Sequence, residues 1–174
     1  MAQMSSEVVL DAVVSRIREI APISTAWGPG NAYTAIKIVQ EGDLGYLPEN
    51  PSLISDLPAV FVKIDGDVEV EVLGMTPPEF EHTYMVRALY LDTYARATDT
   101  PSTIKRTRCD VLADGFMDSA SLNSISVSPL QLLYAVTVST QYDTPEEVLV
   151  NALGIEDVLA SAFTVEVTGI STGS

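Results

Sequence analysis

In the stretch DGDVEVEVLG, residues 65–74, Asp67, Glu69 and Glu71 alternate with Val68, Val70 and Val72. An extended chain with this spacing sends the acids to one side and the valines to the other. The valine side needs a core. The acidic side can do one of two kinds of chemistry, metal coordination or long-range electrostatics. Calcium loops fold closely spaced acids around the ion with a glycine-assisted turn and a terminal bidentate Glu. Acids two residues apart on a flat strand point parallel and do not converge on one ion. The pattern therefore favours a solvated sheet face, or an electronegative surface that a polyanion passes without sticking.

The remaining chemistry-bearing residues are few. The single histidine, His82, falls midway along a predicted strand, and no G-x-S-x-G elbow supplies a nucleophile for it. It reads as a polar residue near a sheet edge or interface. Cys109, the only cysteine, excludes an intramolecular disulfide and a multi-cysteine zinc site. On a half-buried helix it reads as a small core residue. The segment WGPGNAY lacks the third glycine, the lysine and the following helix of a phosphate loop, so a turn around Pro29 is expected. Trp27 beside it is a core plug or an aromatic anchor for a neighbouring subunit. Lys105, Arg106 and Arg108 in TIKRTR form a basic spot on an acidic chain. They are read as a solvated helix face or as a subunit interface that pairs with acids on another copy. No catalytic residue, cofactor or metal ligand is assigned, and no enzymatic activity is expected.

The elements that must position these residues follow from periodicity and turn signals. SSEVVLDAVVSRIREIA places Leu10, Val13, Val14, Ile17 and Ile20 on one helical stripe, with Ser5 or Ser6 as N-cap and Pro22 as terminator. Residues 22–56 are rich in Gly, Pro and Asn and read as a long loop with one short strand in AYTAIKIV. LPAVFVKI and DVEVEVL are predicted strands joined as a hairpin by Asp65-Gly66. FEHTYMVRALYLDTYA is apolar on both faces, which predicts a central strand. Pro101 opens a second helix, on which Ile104, Arg108, Val111, Leu112 and Phe116 share a face; the Arg108 head is expected to reach water. PLQLLYAVTVSTQYD is a strand, TPEEVLVNALG a short helix with a Thr144–Glu147 capping box, and AFTVEVTGI the last strand. The expected fold is a single α+β domain over residues 1–174, its mostly antiparallel sheet packed against two main helices.

Composition narrows the function classes. The chain has 174 residues, 24 acids against nine bases and a net charge of −15. Such a balance disfavours tight nucleic-acid binding, which depends on Lys and Arg displacing counterions. It suits a very soluble protein, one that repels a polyanion, or one adapted to high salt. No apolar run approaches the roughly 20 residues of a membrane helix. In the N-terminal segment the arginines follow the apolar residues, the wrong order for a secretory signal, so cytoplasmic synthesis without export is expected.

The order of elements resembles the tail terminator (head–tail joining, neck) proteins of long-tailed bacteriophages and related viruses. VVLDAVVSRIREI matches the family's amphipathic N-terminal helix. LPAVFVKI, the acidic strand after it, the long strand EHTYMVRALYLD and the helix TIKRTRCDVLADGFMDS follow in the family's order. The similarity spans roughly residues 7–168 and rests on a pattern of elements, because the family has no catalytic signature. The stretch 142–161 departs from it as a longer insertion. The resemblance implies a structural virion protein, assembled in the host cytoplasm, whose hexameric ring caps the tail tube, ends its polymerisation and joins the tail to the head connector or head-completion protein. DNA then passes through an acidic lumen without specific binding, and no membrane or cofactor takes part. Asp67, Glu69 and Glu71 are the candidates for the lumen; Trp27, Lys105, Arg106 and Arg108 are those for the contact between subunits. The alternatives are another neck or tail-completion component and, from a different class, a small acidic metal-binding domain.

Overall fold

The computed structural model describes residues 6–20, 38–42, 57–93, 101–117, 132–147 and 158–172. Helix α1 spans Ser6–Ile20 and α2 spans Pro101–Asp114. The strands are β1 (Ile38–Glu41), β2 (Ala59–Ile64), β3 (Glu69–Met75), β4 (Pro78–Thr93), β5 (Leu132–Gln141) and β6 (Val158–Thr172). They form one sheet in the order β1-β2-β4-β6-β5, with β3 also paired to β4. Every pairing is antiparallel except β1 with β2. The protein is thus an α+β domain with a mainly antiparallel sheet and two main helices.

β4 organises the sheet. It pairs with β6 along its length, from Glu79 opposite Thr172 to Thr93 opposite Val158. Its other edge carries two strands end to end: β2 beside Val86–Leu91 and β3 beside Pro78–Thr83. Asp65-Gly66 therefore does not close a hairpin. β2 and β3 run the same way, and the dipeptide is a jog between them, with Gly66 at φ +91° and the Asp65 amide still donating to the Met85 carbonyl. Gly is the residue that reaches this φ without a Cβ penalty. The true hairpin joins β3 to β4 through Thr76 and Pro77, with Met75 opposite Pro78.

The two faces of the sheet differ. Tyr84, Val86, Ala88 and Tyr90 of β4 share a core with Val60, Val62, Phe163, Val165, Val167 and both helices. On α1 the predicted stripe Leu10, Val13, Val14, Ile17 and Ile20 is buried there. A second cluster lies on the opposite face at the β2 end, built from Leu57, Ala59, Phe61, Leu89, Leu91, Val158, Ala160 and Ala162. Both faces of this half of β4 are buried, as a central strand requires.

Arg108 departs from expectation. It sits on the predicted helix face, but its head is buried rather than in water. It pairs with the Asp92 carboxylate at the far end of β4 and donates to the Tyr90 hydroxyl at 3.0 Å, while Tyr90 donates to Asp92. The cause is position: Tyr90 and Asp92 lie on the helix side of β4, within reach of the long Arg108 side chain. Near the insertion a helical turn opens at residue 145, but the expected capping box does not form. The Glu147 amide donates to the Thr144 carbonyl, and the Glu147 carboxylate accepts from the Ala160 amide of β6. Glu147 thereby continues the hydrogen bonding along β6 beyond its last pair with β5, at Gln141 and Ala162.

A buried ion pair that loses one partner leaves an uncompensated charge. Replacing Arg108→Leu is expected to cost about 3–5 kcal/mol in urea unfolding. The double variant with Asp92→Leu should recover most of that loss. A single variant as stable as the parent would show that the pair does not lock α2 to β4.

Candidate functional site: an open acidic sheet face

All of β3 and the start of β4, residues 78–81, form the open end of the sheet, and none of these residues is buried. Every residue of β3 is exposed except Gly74, which is half-buried. Cross-strand partners share a face, so the register places Glu69 beside Thr83 and Glu71 directly opposite Glu81 on the side away from the helices. Glu79 of β4 and Glu166 of β6 fall on the same side by alternation. Like charges directly opposite one another destabilise a sheet. The arrangement is a local cost that folding alone does not explain.

Among the described residues two cations lie on this face, Lys63 and Arg87, opposite each other at the middle of the sheet. Arg87 is already neutralised. Its guanidinium grips the Glu146 carboxylate in a partly buried, two-nitrogen pair and also reaches Gln141 at 3.4 Å. The hydrogen bond from Arg87 is the largest influence on Glu146, holding its carboxyl below the usual range. The insertion thus supplies the anion for Arg87, and among the described residues neither Arg87 nor Lys63 forms an ion pair with the carboxylates of the β3–β4 extension.

The acids stay apart. Among the described residues no group of three or more His, Cys, Asp or Glu side chains is placed to hold a metal ion. Asp67 precedes β3 and is exposed, Glu69 and Glu71 stand on β3, and the alternation seen in sequence is kept.

The valine side holds a surprise. Val68 packs against the main core, but Val70 and Val72 are 45% and 54% exposed, and Met75 at the hairpin tip is 82% exposed. The core that the alternation calls for reaches only the first valine.

His82 lies across from Val70 on the helix side of β4 and is buried, not at a solvated edge. Its Nε2 is 2.7 Å from the Ser171 hydroxyl and its Nδ1 has no hydrogen-bond partner. Burial lowers its pKa from 6.5. Cys109 is a core residue as expected, its thiol donating to the Ala162 carbonyl at 3.4 Å, with burial as the main cause pushing its pKa up to about 12. At that value it is no nucleophile at neutral pH.

Of the predicted interface residues, the structure places two. Arg108 is internal, which removes it from the proposed basic spot. Arg106 is exposed on α2, and the Lys105 side chain and all of Trp27 lie outside the described residues. Glu79, Glu81 and Glu166 were not picked out in the sequence, because only the β3–β4–β6 register puts them on the same face as Glu69 and Glu71. The signal was there in part: FEHTYMV carries its acid at alternate positions to its buried residues.

No protein-family model matches the chain, and no curated protein matches it in sequence. No helix among the described residues is long and apolar enough to cross a membrane.

Two measurements test the site. Glu71→Gln should raise the melting temperature at low salt, with the gain fading near 1 M, where screening acts over about 3 Å; a salt-independent change would mean that repulsion is not the cause. For His82, the folded pKa lies below the unfolded 6.5, so the unfolded chain takes up a proton first as pH falls. The parent should therefore lose stability relative to His82→Gln as pH drops below about 6.5. Parallel stability–pH curves for the two proteins would contradict that burial.

Proposed function

We propose that this chain is a structural subunit of the neck of a tailed virus, forming a ring that ends tail-tube growth and passes DNA through an acidic lumen. The observation that carries the reading is the uncompensated acidic face: Glu71 opposite Glu81, with Glu69, Glu79 and Glu166 on the same side. A protein that tolerates facing carboxylates on an open sheet has a use for the field they make. Lined around a channel, such faces repel phosphates over about a Debye length, about 8 Å at physiological salt, so duplex DNA slides without binding. The order of elements that resembles tail terminators agrees with this use. The assigned role is structural, not catalytic, and the virion is the place where it acts.

In this reading Glu69 and Glu71 face the lumen together with Glu81, and Asp67 sits beside them. Closing a ring head to tail requires two different complementary patches on each subunit. The bare valines Val70 and Val72 are one region for a partner to cover, and Arg106 contributes charge on the flank.

Assembly is the direct test. Light scattering and sedimentation with purified tail tubes should show the chain capping tube ends as a ring. A chain that stays monomeric and leaves tube length unchanged would overturn the proposal. The triple variant Glu69→Lys, Glu71→Lys, Glu81→Lys should still cap tubes but retain duplex DNA at low salt, which the parent should not.

A further inference from the structure

The outer edge of β5 is unusual for a protein of this charge. Its ten residues, LLYAVTVSTQ, contain no charged side chain and no proline, and β5 pairs only with β6 among the described strands. Edge strands are ordinarily guarded by charges, Pro or bulges, because their free amides and carbonyls template pairing with another chain. β3, the other long edge, is guarded by Glu69 and Glu71 and by an irregularity between Val72 and Gly74. β5 has a bulge between Thr137 and Ser139, but it exposes Tyr134, Val136 and Val138.

A groove of about 300 Å³ runs beside this edge, with Val138 and Thr140 on the strand side and Asp110, Asp114 and Met117 on the helix side. Thr137 ties the two sides together by donating to the Ala113 carbonyl at 2.6 Å. The helix side is electronegative. α2 has no basic residue in its last turn, where the helix dipole is already negative. Arg16 from α1 takes the Gly115 carbonyl, and Tyr142 donates to Asp110 at 2.7 Å, but no cation among the described residues pairs with Asp110 or Asp114.

We propose that the outer edge of β5 is a docking edge for an extended segment of a second protein that alternates apolar and basic side chains. Its backbone completes the ladder of β5, its apolar residues cover Val136 on the face away from α2, and its Lys or Arg side chains on the other face pass Val138 and reach Asp110 and Asp114. Strand addition draws affinity from main-chain hydrogen bonds and specificity from alternate side chains. Charge argues against a second copy as the occupant. None of the described edge strands carries a cation that could meet Asp110 and Asp114: β1 reads IVQE, β3 EVEVLGM and β5 LLYAVTVSTQ. The inference stands on the edge and the groove and does not require the ring.

The test uses the full chain and a fluorescein-labelled nonapeptide, Lys-Val-Thr-Val-Lys-Val-Thr-Val-Lys, with the same peptide carrying Glu for Lys as control. Saturable binding of the basic peptide is expected, with slowed amide exchange at residues 134–140. Both Val136→Lys and Asp114→Lys alter exposed side chains and should weaken binding at least about tenfold, or about 1.4 kcal/mol. Absence of binding, equal binding of the Glu peptide, or indifference to both substitutions would overturn the proposal. So would a parent dimer in light scattering that Val136→Lys dissociates, since the edge would then belong to a second copy.

Discussion

A mismatch of lengths governs this molecule. β4 has 16 residues and β6 has 15, whereas α1 and α2 have 15 and 14. At about 3.3 Å per strand residue β4 reaches roughly 50 Å. At 1.5 Å per helical residue, each helix covers only about 22 Å. Two helices on one face therefore cannot roof such a sheet from end to end, and where they are fixed decides which half is left bare. Arg108 fixes α2. Its buried pair with Asp92 lies at the C-terminal end of β4, two residues from Tyr90, and draws the helix away from the hairpin. The β3–β4 extension is the remainder.

That remainder is where the sequence stops behaving like a core sequence. Along β2 and the second half of β4, alternation feeds two hydrophobic clusters, one per face. Along β3 the same alternation continues, but Val70 and Val72 remain about half exposed and the acids stand at the surface. A sheet that served only its own stability would not set Glu71 against Glu81. The cost is small beside the burial of the body, so the domain carries it, and the field it creates is available for work outside the domain.

The sequence made much of this legible. Helical spacing located α1 to within a residue, and the apolar character of both faces of MVRALYLD marked β4 as central. Two features escaped, for related reasons. Asp65-Gly66 has the composition of a hairpin turn, but turn composition does not say whether two strands pair with each other or queue along a third. Arg108 lies on the right helix face, yet its partner sits at the end of a strand 16 residues earlier, a meeting that only tertiary packing creates. The acidic face was half visible: Glu69 and Glu71 show in β3 alone, whereas Glu81 and Glu166 join them only through register.

The central proposal is that the face bearing Glu69, Glu71 and Glu81 looks onto a DNA channel. Cryo-electron microscopy of virions carrying this chain measures that orientation directly. The account predicts a ring at the junction of head and tail, with the β3–β4 hairpins turned so that these carboxylates line the bore. A ring in which this face points outward, or density for the chain anywhere but the neck, would contradict it.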